Sequence, residues 1–68
     1  MERLWLKEKR LEKDMTQKEV AEAVGIAVST YSMYEVGNRN PSVATACKLG
    51  KLLDCKWENF FEKQLHIT

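Results

Sequence analysis

The run over residues 16–41, TQKEVAEAVGIAVSTYSMYEVGNRNP, constrains the fold of this chain more than any other feature. Thr16 stands where a helix needs an N-cap, and Glu19 follows three residues later. That spacing predicts a capping box: the Thr hydroxyl accepts one orphan helix N–H and the Glu carboxylate reaches back for another. Val20, Ala21 and Val24 recur at helical spacing over about residues 17–24, and Ala21 is small enough for a second helix to cross close by. Gly25 comes next, where a left-handed residue ends a helix without a Cβ clash. After Ile26 a second helical stretch covers about residues 28–36. Two short helices joined by a glycine turn form a helix-turn-helix. The second helix of such a unit is the element that enters a DNA major groove.

The flanking sequence is helical too. A first helix is expected over about residues 2–13, with Leu4 and Leu11, supported by Leu6 and Trp5, on its apolar side. Lys7, Lys9, Arg10 and Lys13 take its polar side, and Asp14 ends it. Gly37, Asn38, Arg39, Asn40 and Pro41 form a loop of turn residues. Ser42 then caps a fourth helix carrying Val43, Ala46, Leu49, Gly50 and Leu53 at helical spacing. A fifth is expected over about residues 57–64, with Trp57, Phe60, Phe61 and Leu65. There is no strand-like alternation, repeat or long linker. The expectation is an all-α, compact five-helix domain spanning residues 1–68.

A chain of 68 residues supports one domain with a marginal core, for which oligomerisation is a common supplement. No apolar run approaches membrane-spanning length and no leader of signal-peptide type opens the chain, so the default address is the cytoplasm. Cys47 and Cys55, if both on one helix, would lie roughly 12 Å apart, too far for a disulfide. They read as small core residues, with an intermolecular redox bond as the lesser alternative. A metal site would need more ligands, and His66 is the sole histidine. No metal, cofactor or small-molecule ligand is expected. The net charge of +1 is weak for a nucleic-acid binder. Its distribution is more telling. Between Ala23 and Leu53 the sole acid is Glu35, against Arg39, Lys48 and Lys51, so a polyanion could approach the middle of the chain.

Arg10, Thr16-Gln17, Ala21, Gly25, Ser29-Thr30, Glu35, Gly37 and Arg39-Asn40-Pro41-Ser42 together resemble the phage repressor/Cro and xenobiotic-response-element (Xre) family of helix-turn-helix regulators. The likeness covers about residues 6–61. It implies a lambda-repressor-like five-helix fold, operator binding on double-stranded DNA and a homodimer on a near-palindromic site. It also implies that Gln17 binds a DNA phosphate and touches the start of the reading helix, that Arg10 and Glu35 pair across helices as a structural tie, and that the loop with Asn38, Arg39 and Asn40 lies on the sugar-phosphate backbone. Thr16 and Thr30 join this phosphate-facing set.

The base-reading positions expected on the second helix of the unit are Ala27, Val28, Ser29, Ser32 and Met33. Here the chain departs from the family, which often has polar or cationic residues at Val28 and Met33 and a Ser or Thr cap at Ala27. Val28 and Met33 cannot make the bidentate bonds that read guanine or adenine, but they can pack on thymine methyls. The expected readout is therefore biased toward thymine methyls and DNA shape. Tyr31 and Tyr34 read as interior aromatics whose hydroxyls could touch a phosphate. Trp57, Phe61, Leu65 and Ile67 are dimer candidates. The leading function is a small repressor. The alternative is a protein-interaction module, antitoxin-like or accessory, that keeps the scaffold; Val28, Met33 and the weak net charge favour it. No Cys–His, Ser–His or glycine-rich phosphate constellation suggests an enzyme.

Overall fold

The computed structural model describes residues 2–61. Four α-helices follow one another: α1 (Leu4–Glu12), α2 (Gln17–Val24), α3 (Val28–Val36) and α4 (Val43–Leu53). A five-residue 3-10 helix, Trp57–Phe61, closes the described chain. The expected fifth α-helix is therefore corrected to a short 3-10 piece. Residues 62–64 of the expected helix lie outside the described residues.

Local chemistry sets α2. The Thr16 hydroxyl accepts from the Glu19 backbone N–H at 3.1 Å, and the Thr16 N–H donates to the Glu19 carboxylate at 2.8 Å. Gly25 ends the helix with φ of 77°, a left-handed conformation that L side chains adopt at a cost of roughly 1–2 kcal/mol. Its N–H returns to the Glu22 carbonyl, and the next N–H, of Ile26, reaches the Ala21 carbonyl. This turn aims α3 across α2. At the start of α3 the N-cap is Ala27, which has no side-chain acceptor for the exposed helix N–H groups. Ala27→Ser should therefore raise stability by about 1 kcal/mol, read as a rise of about 4–8 °C in thermal midpoint for a domain of this size. An unchanged midpoint would mean that these N–H groups are already satisfied.

The core is built from Leu6, Val20, Ala21, Val24, Tyr31, Tyr34, Ala46, Leu49, Leu53 and Phe60. Leu6, Leu49 and Leu53 are wholly buried, each worth about 1.5–3 kcal/mol relative to exposure. Trp5 meets Phe60 edge to face at 5.0 Å between ring centroids, which ties α1 to the 3-10 helix. Gly50 marks a close crossing: a Cβ there would lie 2.7 Å from the Cys55 carbonyl oxygen. The chain returns over α4 because Asp54 is left-handed (φ 58°) and the Cys55 N–H bonds the Gly50 carbonyl at 2.9 Å.

Sequence expectations about packing are corrected at Leu4 and Leu11, at Arg10 and at Val43. Leu4 and Leu11 are 59% and 55% exposed; the buried residues of α1 are Leu6 and Arg10. Residues two apart on a helix differ by about 200° around the axis, so a face through Leu6 turns Leu4 outward. Arg10, expected on the polar side, faces inward and pairs with the Glu35 carboxylate. Val43 is exposed at the first turn of α4. Cys47 and Cys55 do not share a helix, since α4 stops at Leu53. Both thiols are free and half-buried, and burial pushes the Cys55 thiol above its usual value.

Candidate nucleic-acid interface

Helix α3 is held from one side by a buried charge pair. Arg10 Nε donates to Glu35 Oε2 at 2.6 Å, and a second guanidinium nitrogen approaches Oε1 at 3.4 Å. Arg10 also donates to the Met15 carbonyl at 2.9 Å, which fixes the corner between α1 and α2. Gln17 Nε2 donates to Glu35 Oε1 at 3.0 Å. One carboxylate on α3 thus gathers α1 and the start of α2. Burial by itself pushes the Glu35 carboxyl up, but hydrogen bonds from Arg10 and Gln17, the adjacent Tyr31 hydroxyl and the Arg10 charge outweigh it and hold the group below its usual value.

Tyr31 is wholly buried, and its hydroxyl lies beside this pair without a hydrogen-bond partner of good geometry. Burial first, then the Glu35 carboxylate, pushes the phenol well above its usual value. A phosphate contact from Tyr31 is therefore excluded by its position, and its aromatic role stands: Tyr31 and Tyr34 meet edge to face at 6.4 Å. The Gln17 bond lands near the end of α3, on Glu35, while Gln17 also borders a groove with Val28 at the start of α3. A carboxylate only accepts, so the Gln17 amide nitrogen faces Glu35 with one hydrogen, and its second hydrogen remains for an anion.

With its rear face pinned, α3 turns the opposite face outward. Ala27, Val28, Ser29 and Met33 are exposed, while Thr30 and Ser32 are half-buried. Val28 and Met33 retain 46% and 41% of their surface, so neither is a core residue. Val36 adds a third exposed apolar side chain one turn further on. Thr16 is exposed and engaged in its capping box, so its hydroxyl proton is what it can still offer an anion. Asn38, Arg39 and Asn40 are all exposed beyond the end of α3.

Sequence reasoning missed three cations here. Lys18 lines a groove with Leu11, Thr16, Gln17 and Val28. Lys7 lines a second groove with Leu4, Gln17, Glu35 and Val36. Both lysines thus flank α3, although they lie far from it in sequence. Their spacing from Gln17 and from the inward Arg10 carries the signal once the phase of α1 is known. Arg3 is the third, and it joins the end of α3 to the following loop through Tyr34, Arg39 and Asn40.

Of the dimer candidates, Trp57 and Phe61 are half-buried and meet edge to face at 6.2 Å. Leu65 and Ile67 lie outside the described residues. Among the described residues no cluster of three potential metal ligands occurs, and no helix is long and apolar enough to cross a membrane.

A helix-turn-helix family profile matches residues 6–60. The chain belongs to the Xre-type helix-turn-helix family of transcriptional regulators. It is 50% identical over its whole length to the uncharacterized HTH-type transcriptional regulator YqaF of Bacillus subtilis, covering 90% of that protein. It is 39% identical over 46 residues to the cryptic phage CTXphi transcriptional repressor RstR of Vibrio cholerae, a match to 68% of this chain and 41% of RstR. An uncharacterized HTH-type transcriptional regulator of Archaeoglobus fulgidus is 38% identical over 56 residues, or 82% of this chain and 79% of that protein. This family match agrees with the helix-turn-helix reading of residues 16–41.

Proposed function

We propose that this helix-turn-helix protein is a sequence-specific repressor that binds a near-palindromic operator as a homodimer in the cytoplasm. The carrying observation is the exposed face of α3, locked from behind by Arg10, Glu35 and Gln17 and bordered by Lys7 and Lys18, with Arg39 exposed in the loop beyond its end. A helix fixed in this way presents Ala27, Val28, Ser29, Ser32 and Met33 to base edges. Thr16, Gln17, Thr30, Asn38, Arg39 and Asn40 contact phosphates, which position the protein without reading sequence. The name of RstR supports the repressor reading, since it is a transcriptional repressor. Trp57 and Phe61, with Leu65 and Ile67, supply the dimer patch. A two-fold dimer sets the two reading helices about 34 Å apart, one turn of DNA.

Readout by Val28 and Met33 rests on thymine methyls and on DNA shape, because neither side chain can donate or accept a hydrogen bond of base-reading strength. Replacing thymine by uracil removes the methyl and leaves every hydrogen-bonding edge intact. Uracil at the positions facing α3 should weaken binding by about tenfold, roughly the discrimination of one good base contact. The same exchange outside the half-sites should change nothing. Equal affinity for both duplexes would refute the methyl readout.

The exposed apolar run of Val28, Met33 and Val36 also suits a second reading, a protein-interaction module. Salt separates the two. Phosphate binding makes affinity fall steeply as salt rises, whereas a module without a DNA partner shows no retention even at low salt.

A further inference from the structure

Arg3 is half-buried just ahead of α1, yet the groups that its guanidinium and its backbone N–H touch all lie more than thirty residues away. Its guanidinium donates to the Tyr34 carbonyl at 2.6 Å, to the Arg39 carbonyl at 2.9 Å and to Asn40 Oδ1. Its own backbone N–H donates to the Glu35 carbonyl at 2.7 Å. The guanidinium carbon lies 5.4 Å from the centre of the Phe60 ring, within cation–π range. Tyr34 and Glu35 belong to the last turn of α3, whose carbonyls lack the i+4 helical partner and carry the negative end of the helix dipole; the Tyr34 carbonyl otherwise accepts only a long bond, 3.3 Å, from the Gly37 N–H. Arg3 therefore closes that helix end and the loop beyond it in one grip.

The chemistry of the grip fixes the orientation of Asn40. A guanidinium has only donors, so the atom that faces it is the amide oxygen. The Asn40 NH2 group must then point away from Arg3. A phosphate has only acceptors and needs that NH2 group. The Arg39 carbonyl is held by the same guanidinium, so the backbone between the two residues is set as well.

We propose that Arg3 is a positioning residue for DNA binding: it holds residues 38–40 so that the Asn40 amide donors face the DNA backbone. This rests on the reading above that the loop contacts phosphate. Lysine at this place keeps the charge but replaces a planar fork of five donors by one nitrogen. It cannot reach the Tyr34, Arg39 and Asn40 acceptors with the same geometry.

The test compares wild type, Arg3→Lys, Asn40→Ala and the double variant on an operator-length duplex across a salt series, with amide NMR of the free proteins. Arg3→Gln, which keeps an amide donor, serves as a second variant should Arg3→Lys fold poorly. For Arg3→Lys the expected result is a native fold, displaced Arg39 and Asn40 signals including the Asn40 side-chain NH2, and affinity lower by about tenfold, the worth of a hydrogen bond to a charged group. The salt slope should stay as in wild type, because Arg3→Lys keeps the charge and the Asn40 amide is neutral. The double variant should bind no more weakly than Asn40→Ala alone. Unaltered loop signals, or losses that multiply in the double variant, overturn the proposal while wild type still binds DNA. Displaced loop signals with unchanged affinity also overturn it, and they remove the loop from the interface. No binding by wild type at low salt overturns the interface reading itself, and the proposal with it.

Discussion

Glu35→Ala should cost this domain a third or more of its stability. The carboxylate accepts from Arg10 and Gln17, and its loss strands a guanidinium in a buried site. Removing one partner of a buried pair costs about 3–5 kcal/mol. A domain of this length has roughly 3–10 kcal/mol in total, at 0.05–0.15 per residue. Arg10→Ala should be as damaging, because it also frees the Met15 carbonyl at the corner between α1 and α2. Replacing both residues together by apolar side chains of similar volume should restore much of the loss, since no unpaired charge then remains. Denaturant midpoints of the two single variants and the double variant check this. Additive losses would mean that the pair is not a unit.

The same pair sets an acid limit. Glu35 is held below its usual value in the folded state. Its stabilising contribution is therefore fully present above the unfolded value of about 4.3. It is lost as pH falls through the lower folded value. Stability of the wild type should fall through this range, and a variant in which both partners are apolar should fall less.

Val28→Glu should separate folding from DNA binding. Val28 is the first residue of α3 and is 46% exposed. A carboxylate in the first turn of a helix is favourable by about 0.3–1 kcal/mol, because it faces the positive end of the dipole. The folded protein should thus be as stable as wild type or slightly more so. Against DNA the same charge meets phosphates and base acceptors, and like-charge contacts cost several kcal/mol, a loss of about a hundredfold or more in affinity. Thermal midpoint and duplex affinity should move in opposite directions. Unchanged affinity would remove the start of α3 from the interface.

The parts of this fold written in neighbouring residues could be read before any coordinates. Helix α2 was bounded to the residue because Thr16, Glu19 and Gly25 act within one or two turns of each other. The uncapped start of α3 at Ala27 was legible for the same reason. What failed depended on distant partners. The phase of α1 is set by Arg10 meeting Glu35, 25 residues on, which turns Leu4 and Leu11 outward. The reversal at Asp54 returns Cys55 and Trp57 over Gly50, and the segment that follows winds as a 3-10 helix. Of the residues proposed to contact DNA, the exposed face of α3 is legible from helical spacing and the loop from its turn residues. Arg3, Lys7 and Lys18 are not, because tertiary packing alone brings them to α3.

The most direct test is selection from a random duplex library at low and moderate salt, followed by sequencing. The account predicts an enriched, near-palindromic site with half-sites one helical turn apart, thymines at the positions facing α3, and retention that drops steeply with salt. Retention at neither salt would contradict the account and favour the protein-interaction module.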